Sequence, residues 1–180
     1  AIKSLEGVKE DNLLLVLSAD HIIRDANIFK KVLKKSFEYA ENGDLVTFGI
    51  IPNYAEAGYG YIESESILDK GKTEGSRIKK FIEKPNQYLA NKLIESKKYT
   101  WNSGMFVFKA TKIIEELERY APLIVKQCRK AIGNSIQDLD FIRIDKNSFS
   151  KSPNIGIDIA VMEKTDLGLV IPLDAGWSDI

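Results

Sequence analysis

Histidine occurs once in this sequence, at position 21, and cysteine once, at position 128. A single cysteine excludes an internal disulfide and fits a reducing, cytoplasmic compartment. One histidine and one cysteine also exclude the paired spacings that bind zinc, and no Ser-His-Asp arrangement can be assembled around His21. Net charge is absent too: 26 Lys and Arg stand against 26 Asp and Glu. A nucleic-acid-binding module would show a basic excess, so no nucleic-acid partner is expected. No apolar run approaches the roughly 18–20 residues of a membrane span, and no signal-peptide pattern opens the chain, so no membrane partner is expected either. There is no internal repeat. What remains is a globular profile of 180 residues, 44% hydrophobic and 29% charged, enough for one domain with its own core. The chain starts at Ala1 and ends on Ile180 directly after a Gly-Trp-Ser-Asp sequence. Both ends read as interior sequence, so a fragment of a longer protein is expected.

The stretch that organises the rest is Leu13-Leu14-Leu15-Val16-Leu17, followed by Ser18-Ala19-Asp20-His21. Five aliphatic residues in a row predict a strand buried on both faces, central in a mostly parallel sheet. Such a strand delivers Asp20 to the carboxyl edge of the sheet, where open α/β folds bind ligands. Asp20 is either a cap on the next turn or a ligand for something cationic. His21 beside it reads as structural rather than as a base. Residues 1–12 read as the weakly helical end of an upstream element and a loop.

A helix follows. Ile28, Phe29, Val32, Leu33, Phe37 and Ala40 fall on one face at helical spacing, with Lys30, Lys31, Lys34 and Lys35 largely on the other as a solvated surface. Asp25 or Asn27 can cap its start, and Gly43 can end it in a left-handed conformation. Leu45 to Ile51 is a second strand, so strand, helix and strand predict a right-handed unit with a parallel pair. Pro52 stops it. Gly58-Tyr59-Gly60 either lets the backbone approach a ligand or makes a plain turn into a strand. Residues 66–76 read as an exposed hairpin loop, and Arg77 to Glu83 as the returning strand. Pro85 should hold Lys84 extended, so that Glu83 and Lys84 point to opposite sides. One can then bind hydroxyls while the other faces phosphate or structure; an exposed charged turn accounts for the pair equally well.

After a helix over 87–98, Asn102-Ser103-Gly104 precedes a continuous apolar strand. Asn102 offers donors and acceptors suited to sugar hydroxyls. Thr111 to Tyr120 and about 122–132 read as helices, the first burying Ile113, Ile114, Leu117 and Tyr120. Cys128 falls in the second, at a core or half-buried position. Residues 133–154 read as irregular, with Phe141 to Ile144 as a candidate edge strand. Gly156 to Lys164 reads as a short helix with Asp158 near its positive end. A last strand, Leu167 to Leu173, leads into Asp174-Ala175-Gly176-Trp177-Ser178-Asp179, the second place where a strand runs into a carboxylate-bearing loop.

Six segments taken in order carry a resemblance. They are Ser18-Ala19-Asp20-His21; Gly58-Tyr59-Gly60-Tyr61; Phe81-Ile82-Glu83-Lys84-Pro85; Trp101-Asn102-Ser103-Gly104-Met105-Phe106; Ile157-Asp158 with Ala160 to Thr165; and Asp174 to Asp179. Together, over about residues 13–180, they resemble the mannose-1-phosphate guanylyltransferase (GDP-mannose pyrophosphorylase) family of sugar-phosphate nucleotidyltransferases, in its mannose/GTP branch. The resemblance implies an α/β, Rossmann-like nucleotidyltransferase domain with a mixed, mostly parallel sheet flanked by helices. It implies a reaction of GTP with α-D-mannose 1-phosphate that gives GDP-mannose and pyrophosphate with Mg²⁺. It makes Asp20 and Asp179 metal ligands and, with Lys84, catalytic residues. It places Gly58, Tyr59, Gly60, Glu83, Asn102, Ser103, Gly104, Asp158 and Lys164 at the substrate. In that reading Glu83 and Asn102 bind mannose hydroxyls, Gly58 and Gly104 offer close backbone approach, and Lys84 or Lys164 meets the sugar phosphate.

The sequence departs from the family in three places. The glycine-rich N-terminal loop that binds phosphates is absent from these residues, as is any C-terminal domain. Gly156 and Ile159 stand where the family more often has Ser and Tyr. The domain is therefore expected to be a fragment of the catalytic domain over 1–180, and a homo-oligomer is compatible with it. A nucleotidyltransferase for another hexose 1-phosphate, or a non-catalytic lobe that binds sugar nucleotide, are the alternatives.

Overall fold

The computed structural model describes residues 1–6 and 11–179. Residues 7–10 of the expected N-terminal loop, and Ile180, lie outside the described residues. In chain order the strands and helices are β1 (Leu13–Val16), β2 (His21–Ile23), α1 (Ala26–Glu41), β3 (Leu45–Ile50), β4 (Tyr61–Ser64), β5 (Ser76–Ile82), α2 (Gln87–Glu95) and β6 (Tyr99–Lys109). They continue with α3 (Ala110–Tyr120), α4 (Pro122–Gly133), β7 (Ile136–Asp138), β8 (Phe141–Arg143), α5 (Lys146–Phe149), β9 (Gly168–Pro172) and β10 (Trp177–Asp179). The described residues form two compact units, one of 13–109 with 165–179 and one of 1–6, 11–12 and 110–164.

The larger unit is a sheet in the order β1-β6-β3-β9-β5-β4, with a further pairing between β6 and β4. The pairings β6–β3–β9–β5–β4–β6 close on themselves, because β6 is long enough to meet β4 near Trp101 and β1 near Val107. The expectation of an α/β domain with a mixed sheet holds, but the sheet is not mostly parallel. Only β3 and β9 pair in parallel; β1–β6, β6–β3, β9–β5, β5–β4 and β4–β6 are antiparallel. The expected parallel pair of β1 and β3 is likewise not made, because β6 runs between them, antiparallel to both.

β1 itself is an edge strand, with Leu15 37%, Val16 42% and Leu17 50% exposed. An apolar run asks for cover on both faces, but it does not say which element provides it. The strands buried throughout are β3, with Leu45, Val46 and Phe48 at 0% exposure, and β9. The core neighbours of β3 are Val32 and Ala40 of α1, Leu93 of α2, Trp101 and Met105 of β6, and Ile171 of β9.

α1 forms where its periodicity places it. The Asp25 carboxylate accepts from the Asn27 and Ile28 amides at 2.9 Å, satisfying two donors that the first turn leaves open. Gly43, just past the C-terminal end, has φ 97°, which glycine adopts without a Cβ clash. Asp25→Ala is expected to destabilise the protein by about 0.5–2 kcal/mol, read as a lower urea midpoint at unchanged slope.

In the smaller unit, α3 buries Ile113 and Ile114 while Leu117 and Tyr120 stay half-buried, and α4 buries Val125 and Ala131. Cys128 is half-buried. The stretch read as irregular is more ordered than expected: β7 and β8 pair as a hairpin, with Ile136 opposite Arg143, and Asp145 caps α5 through the Ser148 amide. The short helix expected over 156–164 is a π-helical turn, Asp158–Met162, in which the Glu163 amide bonds to the Asp158 carbonyl at 2.9 Å. No helix among the described residues is long and apolar enough to cross a membrane.

Candidate active site

β1, β3 and β9 run in one direction, as their pairings require, so their carboxyl ends lie along one edge of the sheet. Asp20 ends the turn after β1, and the loop from Asp174 to Gly176 follows β9. The two segments then pair. β2 and β10 form an antiparallel ribbon in which Trp177 faces Ile23 and Asp179 faces His21. The ribbon is clasped at its base, where the amides of Arg24 and Asp25 donate to the Ala175 carbonyl at 3.0 and 2.9 Å. Gly176 makes the turn possible: its φ is 64°, and a Cβ there would meet the Arg24 side chain at 3.0 Å. Residues 159 positions apart in sequence, Asp20 and Asp179, are thereby brought to one end of one ribbon. Neither acid ends a buried strand directly, as the sequence had suggested. Asp20 follows the edge strand, and Asp179 lies one short strand beyond β9.

Asp20 keeps its carboxylate in solvent, 75% exposed, and Asp179 is exposed as well. The Tyr59 hydroxyl donates to Asp179 Oδ1. Burial, and then this bond, raise the Tyr59 pKa well above the usual phenol value, so the hydroxyl stays a donor across the physiological range. A row of rings surrounds it. Tyr54 and Trp101 lie 4.8 Å apart, Trp101 and Tyr59 5.1 Å, Tyr59 and Trp177 5.6 Å, and Trp177 and His21 5.2 Å, each edge-to-face. The Trp177 indole donates to His21 Nδ1 at 3.1 Å, so a neutral His21 carries its proton on Nε2, which is 3.8 Å from Asp20 Oδ1. His21 is thus held between Trp177 and the exposed Asp20.

Next along the same edge are Gly60, Glu83 and Asn102. The Asn102 amide donates to the Gly60 carbonyl at 2.8 Å. A Cβ on Gly60 would lie 2.7 Å from Glu83 Oε2, so a larger residue there would push the carboxylate aside. Asn102 Oδ1 and the Met105 carbonyl both lie 3.0 Å from Thr47 Oγ1. Asn102-Ser103-Gly104 does not precede the strand but forms a bulge within β6: Gly49 pairs with Asn102 while Thr47 pairs with Phe106. Gly104, at φ 68°, turns the bulge toward the first loop, with Ser18 Oγ 3.6 Å and His21 Cε1 4.0 Å from where its Cβ would be. Ser103 is buried, its hydroxyl accepting from the Met105 amide at 3.3 Å.

Lys84 departs from the expectation. Its φ is 45°, in the left-handed region rather than extended, and its Nζ lies 3.4 Å from Glu83 Oε1. The two side chains therefore share a side. Proline disfavours the right-handed helical region for the residue before it, and the exit from β5 is completed here with a left-handed turn instead. Gly58 also differs from a backbone left open to a ligand, since its amide donates to Glu56 Oε1 at 2.8 Å. Asp158 and Lys164 belong to the smaller unit. There Asp158 opens the π-helical turn, and Lys164 Nζ lies 3.4 Å from the Ala160 carbonyl. Sequence reasoning missed Thr47 and the linking roles of Trp101 and Trp177. The aromatic residue that opens or flanks each glycine motif was the available signal.

A family model described as nucleotidyl transferase matches residues 1–180. A mannose-1-phosphate guanylyltransferase of Salmonella montevideo is 48% identical over 183 residues, covering 100% of this chain and 39% of its own length. Among solved structures, a protein from Helicobacter pylori described as mannose-6-phosphate isomerase superposes with a TM-score of 0.85 at 34% identity, covering 96% of this chain and 66% of its own. One from Thermus thermophilus, described as mannose-1-phosphate geranyltransferase, gives 0.76 at 30% identity, covering 93% and 46%. The chain thus spans only 39% of the Salmonella relative. With the family model matched from end to end, the chain belongs to the nucleotidyl transferase family.

Proposed function

We propose that the protein carrying this chain transfers the guanylyl group of GTP to α-D-mannose 1-phosphate, forming GDP-mannose and pyrophosphate in the cytoplasm. The observation that carries the proposal is the β2–β10 ribbon, in which Asp179 faces His21 next to Asp20, with Asp179 joined through Tyr59 to the segment whose Gly60 lies against Asn102 and Glu83. A phosphate oxygen of mannose 1-phosphate forms a bond to the α-phosphorus of GTP, and the bond to pyrophosphate breaks. Such transfers ask the protein for positioning and for neutralisation of negative charge.

The donors fit Mg²⁺. They are two carboxylates, the oxygen donors that Mg²⁺ prefers. A magnesium ion typically takes one or two carboxylates and completes its shell with phosphate oxygens and water. When bound by Asp20 and Asp179, it would offset charge on the phosphates. Glu83 accepts from mannose hydroxyls, and Asn102 contributes its amide group beside it. Lys84, on the same side as Glu83, meets the sugar phosphate.

Calorimetric titration of the full-length protein tests this reading. GDP-mannose should bind with Mg²⁺ and UDP-glucose should bind far more weakly. Losing a hydrogen bond to a charged group costs on the order of 1.5–3 kcal/mol, so Glu83→Gln should weaken GDP-mannose binding roughly tenfold or more. Unchanged affinity would remove Glu83 from the sugar site, and equal binding of both sugar nucleotides would remove the mannose assignment.

A further inference from the structure

The Gly58-Tyr59-Gly60 segment has a specific geometry that a general role at the substrate does not account for. Its backbone is pinned on both sides of the tyrosine: the Gly58 amide donates to Glu56, and the Gly60 carbonyl accepts from Asn102. The ring between them is flanked by Trp101 and Trp177, at interplanar angles of 74° and 73°. Trp177 and Asp179 are separated by one residue on the short strand β10, so their side chains leave it on the same face. Tyr59 meets both of them, Trp177 with its ring and Asp179 Oδ1 with its hydroxyl. The contact spans 120 residues of sequence. A phenol has one proton to donate, and here Asp179 accepts it.

We infer that Tyr59 is a positioning residue for Asp179, holding Oδ1 so that Oδ2 is presented to a divalent cation, and that it does not bind the sugar. The inference rests on the proposed reading of Asp179 as a metal ligand. A carboxylate on an exposed strand end can otherwise rotate about its last torsion, and fixing it before the cation arrives lowers the ordering cost of binding. Partners of this kind behind a metal ligand typically contribute a factor of about 10–100 in metal affinity. Beside the tyrosine, Gly60 leaves room for the Glu83 carboxylate.

Tyr59→Phe in the full-length protein keeps the ring, and with it the contacts to both tryptophans, while removing only the hydroxyl. Trp101 and Trp177 both touch Tyr59, so an unchanged melting temperature is the check that the ring row is intact. Mn²⁺ binding followed by electron paramagnetic resonance, without nucleotide or sugar, is the probe for the metal. Mannose 1-phosphate binding measured by calorimetry in chelator is the probe for the sugar. The expected result is a Mn²⁺ dissociation constant raised about 10–100-fold, with mannose 1-phosphate affinity unchanged. Wild-type Mn²⁺ affinity in Tyr59→Phe overturns the inference, and a loss of sugar affinity in chelator would reassign the hydroxyl to the sugar. Asp179→Asn is the parallel control. If it binds Mn²⁺ as wild type does, the metal assignment of Asp179 fails and the role given to Tyr59 fails with it. If it loses Mn²⁺ while Tyr59→Phe does not, only the role of Tyr59 fails.

Discussion

Asp179→Asn is expected to lower the rate of GDP-mannose formation by on the order of a hundred- to a thousand-fold, with little change in stability. The substitution keeps the shape of the side chain, and the amide carbonyl can still accept from the Tyr59 hydroxyl that now bonds to Oδ1. The ribbon is held mainly by backbone pairing between β2 and β10 and by the amides of Arg24 and Asp25 on the Ala175 carbonyl, none of which involves the carboxylate. On the proposed reading, what is lost is a carboxylate ligand for the cation that would offset charge on the phosphates. Preorganised electrostatic contacts of this sort are worth about 10²–10³ in turnover when one is removed. Steady-state kinetics at saturating Mg²⁺, with a melting curve beside it, separate the two effects. Activity within about fivefold of wild type would mean that Asp179 is not part of the chemistry. Asp20→Asn should behave in the same way, since Asp20 is mostly in solvent and contributes little to packing.

Gly49→Ala should produce the largest loss of stability. Gly49 lies in the buried strand β3, paired with Asn102 on one side and Pro172 on the other. A Cβ there would sit 2.4 Å from Thr100 Oγ1, 2.9 Å from Thr100 Cβ and 2.8 Å from Val170 Cγ2. No rotamer change relieves contacts with a Cβ and with a branched side chain on a neighbouring strand, so strands must shift. Overpacking of this kind costs about 1–3 kcal/mol. Because Gly49 is opposite Asn102, GDP-mannose affinity should fall together with stability. Thr100 Oγ1 is buried without a hydrogen-bond partner, so Thr100→Ala removes the closest atom without breaking a bond. The double variant Gly49→Ala/Thr100→Ala should therefore recover part of the lost stability, read from urea denaturation. Strictly additive losses would show that Thr100 is not what the new methyl group meets.

The two substitutions differ in how visible their positions are in the sequence. α1 was legible because its signals are local: the spacing of Val32 and Ala40, the carboxylate of Asp25 and the left-handed Gly43 all lie within one helix and its ends. The strand at 45–50 was legible for the same reason. The burial of β1 and the direction of its neighbours were not. Leu13 to Leu17 carries the composition of a central strand, but strand direction is decided by which distant segment pairs with it, and that segment is β6. β6 was itself half hidden, since Asn102-Ser103-Gly104 looks like a loop and is a bulge inside an 11-residue strand. At Lys84 the bias imposed by Pro85 suggested an extended residue, and the tight exit from β5 prevailed.

Within the site, Asp20, Glu83, Asn102 and Asp179 could be singled out because polar residues there follow or interrupt apolar strands. The bond from Tyr59 to Asp179 could not, since it joins residues 120 positions apart whose types permit many other partners.

Pyrophosphate release by the full-length protein reports on the proposed reaction itself. GTP with mannose 1-phosphate, UTP with glucose 1-phosphate and dTTP with glucose 1-phosphate would be compared, each with Mg²⁺ and with chelator. Pyrophosphate and GDP-mannose are expected in equal amounts from the first pair, with little product from the other two and loss of the reaction in chelator. Faster turnover of a glucose 1-phosphate pair, or binding of GDP-mannose with no turnover of GTP and mannose 1-phosphate, would contradict the proposed reaction.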